Sequence, residues 1–181
     1  MSTLADLRPE LVRPDARLHT AWLAEHAQWP PGSHRDGSGL GEDDDTAGPA
    51  GFAAWVERLL RCADPAVEPA PGRVHSTYRW IMAGGVCLGA TELRHDLSPF
   101  LLEAGGHIGY SVRPDYRRRG LAGWALDAML AEARGRGMER VLLTVTPDNA
   151  PSVRVIERAG GVLEDVRDTV LGPKSRYWIT F

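Results

Sequence analysis

Residues 117–123 read Arg-Arg-Arg-Gly-Leu-Ala-Gly, and this run carries the clearest chemistry in the chain. It lies between a predicted strand over 106–112 and an amphipathic run over 121–133. A strand that turns directly into a helix exposes the helix's first N–H groups, which have no partner inside the helix. The helix dipole favours an anion at that end, so a phosphate suits the position. Gly120 has no Cβ to hold the backbone away from a ligand, and Ala122 and Gly123 keep the first turn small. Arg117, Arg118 and Arg119 add positive charge at the same place. The expectation is a phosphorylated ligand. Two other phosphate-site readings fail on spacing. No Gly-rich loop ending in Lys-Ser or Lys-Thr is present, and Gly105, Gly106 and Gly109 precede or lie within a strand rather than opening a helix.

Arg117, Gly120 and Ala122 stand in the order R-x-x-G-x-A. Before them comes Gly-His-Ile-Gly-Tyr-Ser-Val-Arg-Pro-Asp over 106–115. After the helix come Arg-Val-Leu-Leu-Thr-Val-Thr over 140–146 and Asp-Asn-Ala-Pro-Ser-Val-Arg-Val-Ile-Glu-Arg-Ala-Gly-Gly over 148–161. In this order the segments resemble the GNAT-type N-acetyltransferases, over about residues 76–181. The resemblance implies an α/β (mixed α+β) fold whose central, mostly antiparallel sheet is flanked by helices and splayed at the cofactor site. It implies acetyl-CoA as co-substrate and no metal. Pyrophosphate contacts would come from the main chain of Arg118, Arg119, Gly120, Leu121 and Ala122, with the Arg117 side chain in support. Val112 and Arg113 would meet the pantetheine arm through their backbone, and an N–H of Ser111 or Val112 would stabilise the oxyanion. Asn149 matches the family's pantetheine-holding Asn, with Ser152 facing the same end. Asn149 equally suits a helix N-cap, and the two roles are compatible. Two departures stand out. Ile156 occupies the place where many relatives carry a Tyr that reprotonates the CoA thiolate, which leaves Ser152, Tyr110 or Tyr177 as substitutes, or no acid at all. Gly160-Gly161 replaces the usual Gly-Phe.

Acetyl transfer to an amine needs a neutral nucleophile. An alkyl ammonium of pKa ~10.4 requires about 4–5 kcal/mol to deprotonate at pH 7, so a base near neutrality is the economical solution. By the resemblance, His107 on the strand entering the phosphate loop is the first candidate, and an imidazole titrates in the right range. A structural His satisfied within the sheet is the plainer reading. Glu92 and His95 on the preceding strand are further candidates, and Glu92 could instead be an ion-pair partner. The implied function is an N-acetyltransferase acting on a primary amine of a small molecule or of a peptide or protein. The alternative is a non-catalytic acyl-CoA-binding module, which the absent Tyr would suit. Trp22 and Trp29 are candidate acceptor-pocket residues, because the first helix and its loop usually cover the acceptor in similar enzymes; core packing is the alternative. The run Glu-Asp-Asp-Asp over 42–45 is either a solvated loop or a lid attracting a cation.

The elements that must position these groups follow from periodicity. The 181 residues fit one domain, with a mobile loop expected over 30–51 from its Gly, Ser, Asp and Pro content. A short strand is expected over 7–12, and a helix over 15–29 that Pro30 and Pro31 stop. A second helix over 52–62 places Phe52, Trp55, Val56, Leu59 and Leu60 on one face. Beyond the linker with Pro65, Pro69 and Pro71, strands 76–83 and 86–95 form a hairpin across Gly84-Gly85. A turn over 96–105 leads to strand 106–112 and helix 121–133. Then come strand 140–146, helix 152–159 and strands 162–169 and 174–180. A net charge of −3 argues against nucleic acid as partner. No apolar run approaches the ~18 residues that a membrane span requires, and no basic-then-apolar leader is visible. Cys62 and Cys87 read as reduced thiols, which together with these absences gives a cytoplasmic expectation. Lys174 is the one Lys among 21 basic residues, a bias of GC-rich bacterial genomes. Similar enzymes are often dimers, so a homodimer is also expected.

Overall fold

Two nearly continuous runs of buried residues through 76–94 make the central hairpin, whose strands are covered on both faces. The computed structural model describes residues 4–181. In it β2 (Ser76–Ala83) and β3 (Val86–Arg94) pair antiparallel. They turn at Gly84 and Gly85, whose φ of 54° and 81° are the left-handed values a tight hairpin demands. Outside β2 lies the short β1 (Glu10–Val12), and against the other side of β3 runs β4 (Ile108–Val112), giving the order β1-β2-β3-β4. A second antiparallel sheet has the order β5-β7-β6, from β5 (Arg140–Val145), β6 (Val162–Thr169) and β7 (Gly172–Thr180).

Helices fill the faces. α2 (His19–His26) and α3 (Pro49–Arg61) cover one face of the first sheet, where Trp22, Phe52, Trp55 and Leu59 pack on Tyr78, Trp80 and Ala90. The opposite face is covered by α4 (Leu121–Gly135). Its Leu126, Met129 and Ala133 reach Leu93 and Ile108 of the first sheet, Val141 and Leu143 of the second, and Ile156 of α5 (Ala150–Arg158). Each such fully buried Leu, Ile, Val or Met side chain contributes ~1.5–3 kcal/mol of burial free energy, so α4 binds both sheets into one core.

Several boundaries differ from the sequence expectation for local reasons. Residues 7–12 are not one strand: a four-residue helix, α1 (Leu4–Leu7), is followed by Pro9, and pairing begins at Glu10. The first long helix opens as a 3-10 turn capped by Asp15, which accepts the Arg17 N–H, and its α portion ends at His26. α3 begins earlier than periodicity suggested because Pro49 suits a first helical position. The turn over 96–105 contains a π-helical turn (Leu101–Gly105), and β4 starts only at Ile108 because Gly106 is left-handed at φ 65°.

Among the described residues, the two sheets are hydrogen-bonded to each other at one point. His107 donates its main-chain N–H to the Leu142 carbonyl at 2.7 Å, and Leu142 donates its own N–H to His107 Nδ1 at 2.8 Å. Beyond that point, among the described residues, no ladder joins β4 to β5. The strands part, and a gap opens toward the start of α4. This is the splay expected from the sequence. No helix among the described residues is long and apolar enough to cross a membrane.

Candidate active site

After β4 the chain makes a 3-10 turn (Pro114–Tyr116) and reaches α4 through residues 117–120. Arg118 (φ 60°) and Gly120 (φ 84°) are left-handed, and such turns aim successive N–H groups to one side. The main-chain N–H groups of residues 118–123 meet no acceptor among the described residues, as expected for the first turn of a helix. The three arginines divide the work. Arg117 Nε donates to the Val112 carbonyl at 3.1 Å while its guanidinium lies 5.2 Å from the Trp29 ring centroid. Arg119 donates to the Asp115 carbonyl at 3.1 Å and lies 4.6 Å from the Tyr116 centroid. Both therefore brace the loop, although Arg119 Nε is buried without a partner. Arg118 is exposed and projects freely among the described residues. The unpartnered amides, the Gly120 approach and the spare cation fit a pyrophosphate.

The gap is walled by β4 on one side. Arg94 donates its N–H to the His107 carbonyl, and Arg113 donates its N–H to Leu88 at 2.8 Å. In an antiparallel ladder such residues alternate, so Ser111 and Arg113 turn their main chain to β3, while Tyr110 and Val112 turn theirs to the gap. The Arg113 amide is therefore not available to a ligand in the gap, contrary to the sequence expectation; the Arg113 side chain is likewise paired, with Asp115 at 2.7 and 2.8 Å. At the other wall Asn149 caps α5, its Oδ1 accepting the Ser152 N–H at 3.3 Å. The Tyr110 hydroxyl is buried without a well-formed hydrogen bond. Burial raises its pKa, and Ser152 pulls it back down. Ile156 is 2% exposed and packs with Leu143 and Tyr177, a core position rather than a gap position.

The three candidate bases have separate surroundings. His107 is buried, and burial depresses its pKa to about 4. Its Nδ1 accepts from Leu142, so the neutral ring carries its proton on Nε2 and has no free lone pair. Glu92 is also buried; its carboxylate accepts from Tyr78 Oη at 2.8 Å and from Arg94 Nη2 at 2.7 Å. Arg94 in turn donates to the Gly105 and Gly106 carbonyls. This bracket fixes the start of β4. His95 Nε2 meets Thr77 Oγ1 at 2.8 Å, and Thr77 Oγ1 also accepts from Arg136. Arg136 follows the last residue of the 15-residue α4, about 22 Å along its axis from the phosphate loop. Burial, Arg136 and His75 push the His95 pKa down.

The segment between α2 and α3, expected as a mobile loop with a solvated or lid-like acidic run, rests on β3 and β4. Gly37 sits on β4: a Cβ there would collide with the Gly109 carbonyl and the Thr91 backbone. Gly39 lies equally close to Leu59 and Tyr78, and its carbonyl accepts from Trp55 Nε1 and Arg58. Arg35 is 4% exposed and locks the loop inward, donating to Glu25 Oε2 and His26 Nδ1 at 2.8 Å each. Glu25 also accepts from Trp29 Nε1 at 2.6 Å, and burial, opposed by Arg35, raises its pKa. Trp22 is 2% exposed and packed with Phe52 and Trp55, a core residue. Trp29 lies between Arg35 and Arg117 and so links this loop to the phosphate loop. In the acidic run, Asp44 pairs with Arg58 and Asp45 accepts the Ala47 N–H. His34 and Asp36, flanking Arg35, are joined at 2.9 Å and exposed. Sequence reasoning missed them; the signal was a His-x-Asp beside two glycines. No group suited to hold a metal occurs among the described residues.

Comparison with known proteins gives a consistent answer. The chain is similar in fold to an acetyltransferase from Salmonella typhimurium that modifies the N-terminal serine of ribosomal protein L7/L12 (14% identity, 96% and 95% of the two chains covered, TM-score 0.67). It is also similar to the microcin C7 self-immunity acetyltransferase MccE in complex with acetyl-CoA and AMP (13%, 96% and 92%, TM-score 0.67). A third similar structure is yncA of Salmonella typhimurium with acetyl-CoA (15%, 95% and 93%, TM-score 0.59). No curated protein matches by sequence. The sequence description of the acetyltransferase (GNAT) family matches residues 22–161. The open gap, the phosphate-ready loop and this match over most of the chain agree, and the chain belongs to the acetyltransferase (GNAT) family.

Proposed function

We propose that this acetyltransferase moves the acetyl group of acetyl-CoA to a primary amine of a small molecule or of a peptide or protein. The observation that carries the reading is one continuous polar path. It runs from the unpartnered amides of residues 118–123, past the Val112 and Tyr110 main chain, to the closed end of the gap at His107. A pyrophosphate at one end and a pantetheine arm along β4 would match that path, with hydrogen bonds to the charged groups worth about 1.5–3 kcal/mol each. Asn149 and Ser152 would meet the arm from the opposite wall. A main-chain N–H of Tyr110 or Val112 would face the developing oxyanion, an interaction worth about 3 kcal/mol in comparable sites. In this reading His107 and Glu92 hold the frame of the site, with His107 Nδ1 and both Glu92 carboxylate oxygens engaged by hydrogen bonds, while His95, bonded to Thr77, lies at the far end of α4.

Similar enzymes named for ribosomal N-termini favour a peptide amine as the first acceptor to try. The second reading, a non-catalytic acyl-CoA-binding module, draws on Ile156, whose place in the core removes the family's usual acid. A calorimetric titration with acetyl-CoA, beside ATP and NAD, tests the cofactor. Thiol release from acetyl-CoA with a free N-terminal serine peptide, and with a short alkyl diamine, tests the transfer. Saturable binding without release from any amine would favour the binding module.

A further inference from the structure

We propose that His34, held by Asp36, is the base that takes the proton of the incoming ammonium at the mouth of the gap. The inference rests on the amine-transfer reading above and assigns the step that His107, Glu92 and His95 leave open. Three observations carry it. First, the loop is seated on β4 through the Gly37–Gly109 backbone contact, which excludes a Cβ on Gly37 and leaves little room for one on Gly109. Asp36 directly precedes that contact, and its carboxylate acts on Tyr110, the β4 residue whose main chain turns to the gap. Second, Arg35 is fixed inward by Glu25 and His26, so the residues on either side of it are held by a buried anchor although they are exposed. Third, the His34–Asp36 pair has the polarity a base requires. Nε2 lies 2.9 Å from Asp36 Oδ1, so it donates its proton there, and Nδ1 keeps a free lone pair. This is the reverse of His107, whose lone pair is occupied.

The charges facing the pair suit the task. Asp36 raises the His34 pKa above its ordinary value, while partial desolvation by its neighbours and, from β7 and β3, Lys174 and Arg94 oppose the rise. From β4, Tyr110 feels the Asp36 carboxylate. In the step, R–NH3+ gives one proton to His34 Nδ1, directly or through one water. The neutral amine forms the C–N bond to the thioester carbonyl carbon, and the C–S bond breaks. The second amine proton passes to the CoA thiolate, and the His34 proton returns to solvent. The products are the amide, CoA thiol and one proton.

The test compares wild type, His34→Gln and Asp36→Asn in thiol release with the serine peptide and the diamine, across pH 5.5–9, alongside acetyl-CoA calorimetry. Both side chains are exposed, so the variants should keep the wild-type denaturation midpoint. The expected result is a kcat loss of about 100-fold in His34→Gln with acetyl-CoA affinity unchanged. Asp36→Asn should shift the acidic limb of the rate profile to lower pH, because it removes the group that raises the His34 pKa. A His34→Gln enzyme with wild-type kcat and an unmoved limb overturns the proposal. Loss of acetyl-CoA binding in that variant also overturns it, since the loop would then serve the cofactor. Failure of the wild type to bind acetyl-CoA would instead strike the transfer reading beneath it.

Discussion

Leu142 donates its main-chain N–H to His107 Nδ1, and this bond, with the reciprocal one from His107 N–H to Leu142 O, closes the inner end of the gap. His107→Ala leaves a buried N–H unsatisfied and should destabilise the fold by about 1–3 kcal/mol. The folded pKa of about 4 lies below the unfolded value of about 6.5. The unfolded chain therefore takes the proton first as pH falls. This contribution is complete above pH 6.5 and disappears as pH passes down through 4, about 3 kcal/mol in all. Urea denaturation at pH 7.5, 5.5 and 4.5 should show that slope in wild type and a flatter one in His107→Ala. Equal slopes would contradict the assignment.

Gly120 ends the phosphate loop at φ 84°, and the main-chain amides around it are unpartnered. Gly120→Glu places bulk and negative charge where the anion would sit. It should abolish acetyl-CoA binding in calorimetry while circular dichroism stays that of wild type. Arg118→Ala removes the free cation and should weaken binding about 10–100-fold, the worth of one charged hydrogen bond. Arg117→Ala should act differently, loosening Trp29 and β4 together, and should lower the melting temperature as well as the affinity. Unchanged affinity in a folded Gly120→Glu protein would remove the loop from the binding site.

The parts of this molecule visible in its sequence are those written in local patterns. The 84–85 hairpin, the α4 start after Arg-Arg-Arg-Gly and the closing strand at 162–169 depend on turn residues and on periodicity over a few positions. What escaped depends on contacts between distant segments. Nothing around His107 shows that its lone pair would meet an amide 35 residues later. Nothing in residues 34–39 shows that Gly37 would rest on Gly109. The resemblance implied a backbone contact from Arg113 to the ligand, but strand alternation, which only the pairing with β3 fixes, turns its amide away. The start of β4 moved for the same reason, because Gly106 is left-handed to bring its backbone against Leu142.

Gly37→Ala puts a Cβ at φ 76° against the Gly109 carbonyl. The loop must lift, and left-handed strain adds about 1 kcal/mol. Acetyl-CoA affinity should be retained because the phosphate loop is untouched. The amine KM should rise and kcat fall as the front wall loses its seat. Steady-state kinetics with the serine peptide, beside calorimetry, separates these effects. A variant whose acetyl-CoA affinity falls in step with its rate would show that the loop covers the cofactor instead.

Glu25 and Arg35 form a pair whose side chains are each 4% exposed, so removing one partner strands the other's charge. Arg35→Met should destabilise the fold by about 3–5 kcal/mol. Glu25→Gln/Arg35→Met should recover most of that loss, because Gln still accepts the Trp29 N–H and no charge remains buried. The pH dependence carries a second signature. Burial already raises the Glu25 pKa, and Arg35 restrains the rise. In Arg35→Met the folded state should bind its proton still more readily than the unfolded chain does, so stability relative to wild type recovers as pH falls. The variant's deficit should therefore be smaller at pH 5 than at pH 8 in matched denaturation curves. A deficit independent of pH would mean that Arg35 acts by packing against Trp22 and Trp29 rather than by neutralising Glu25.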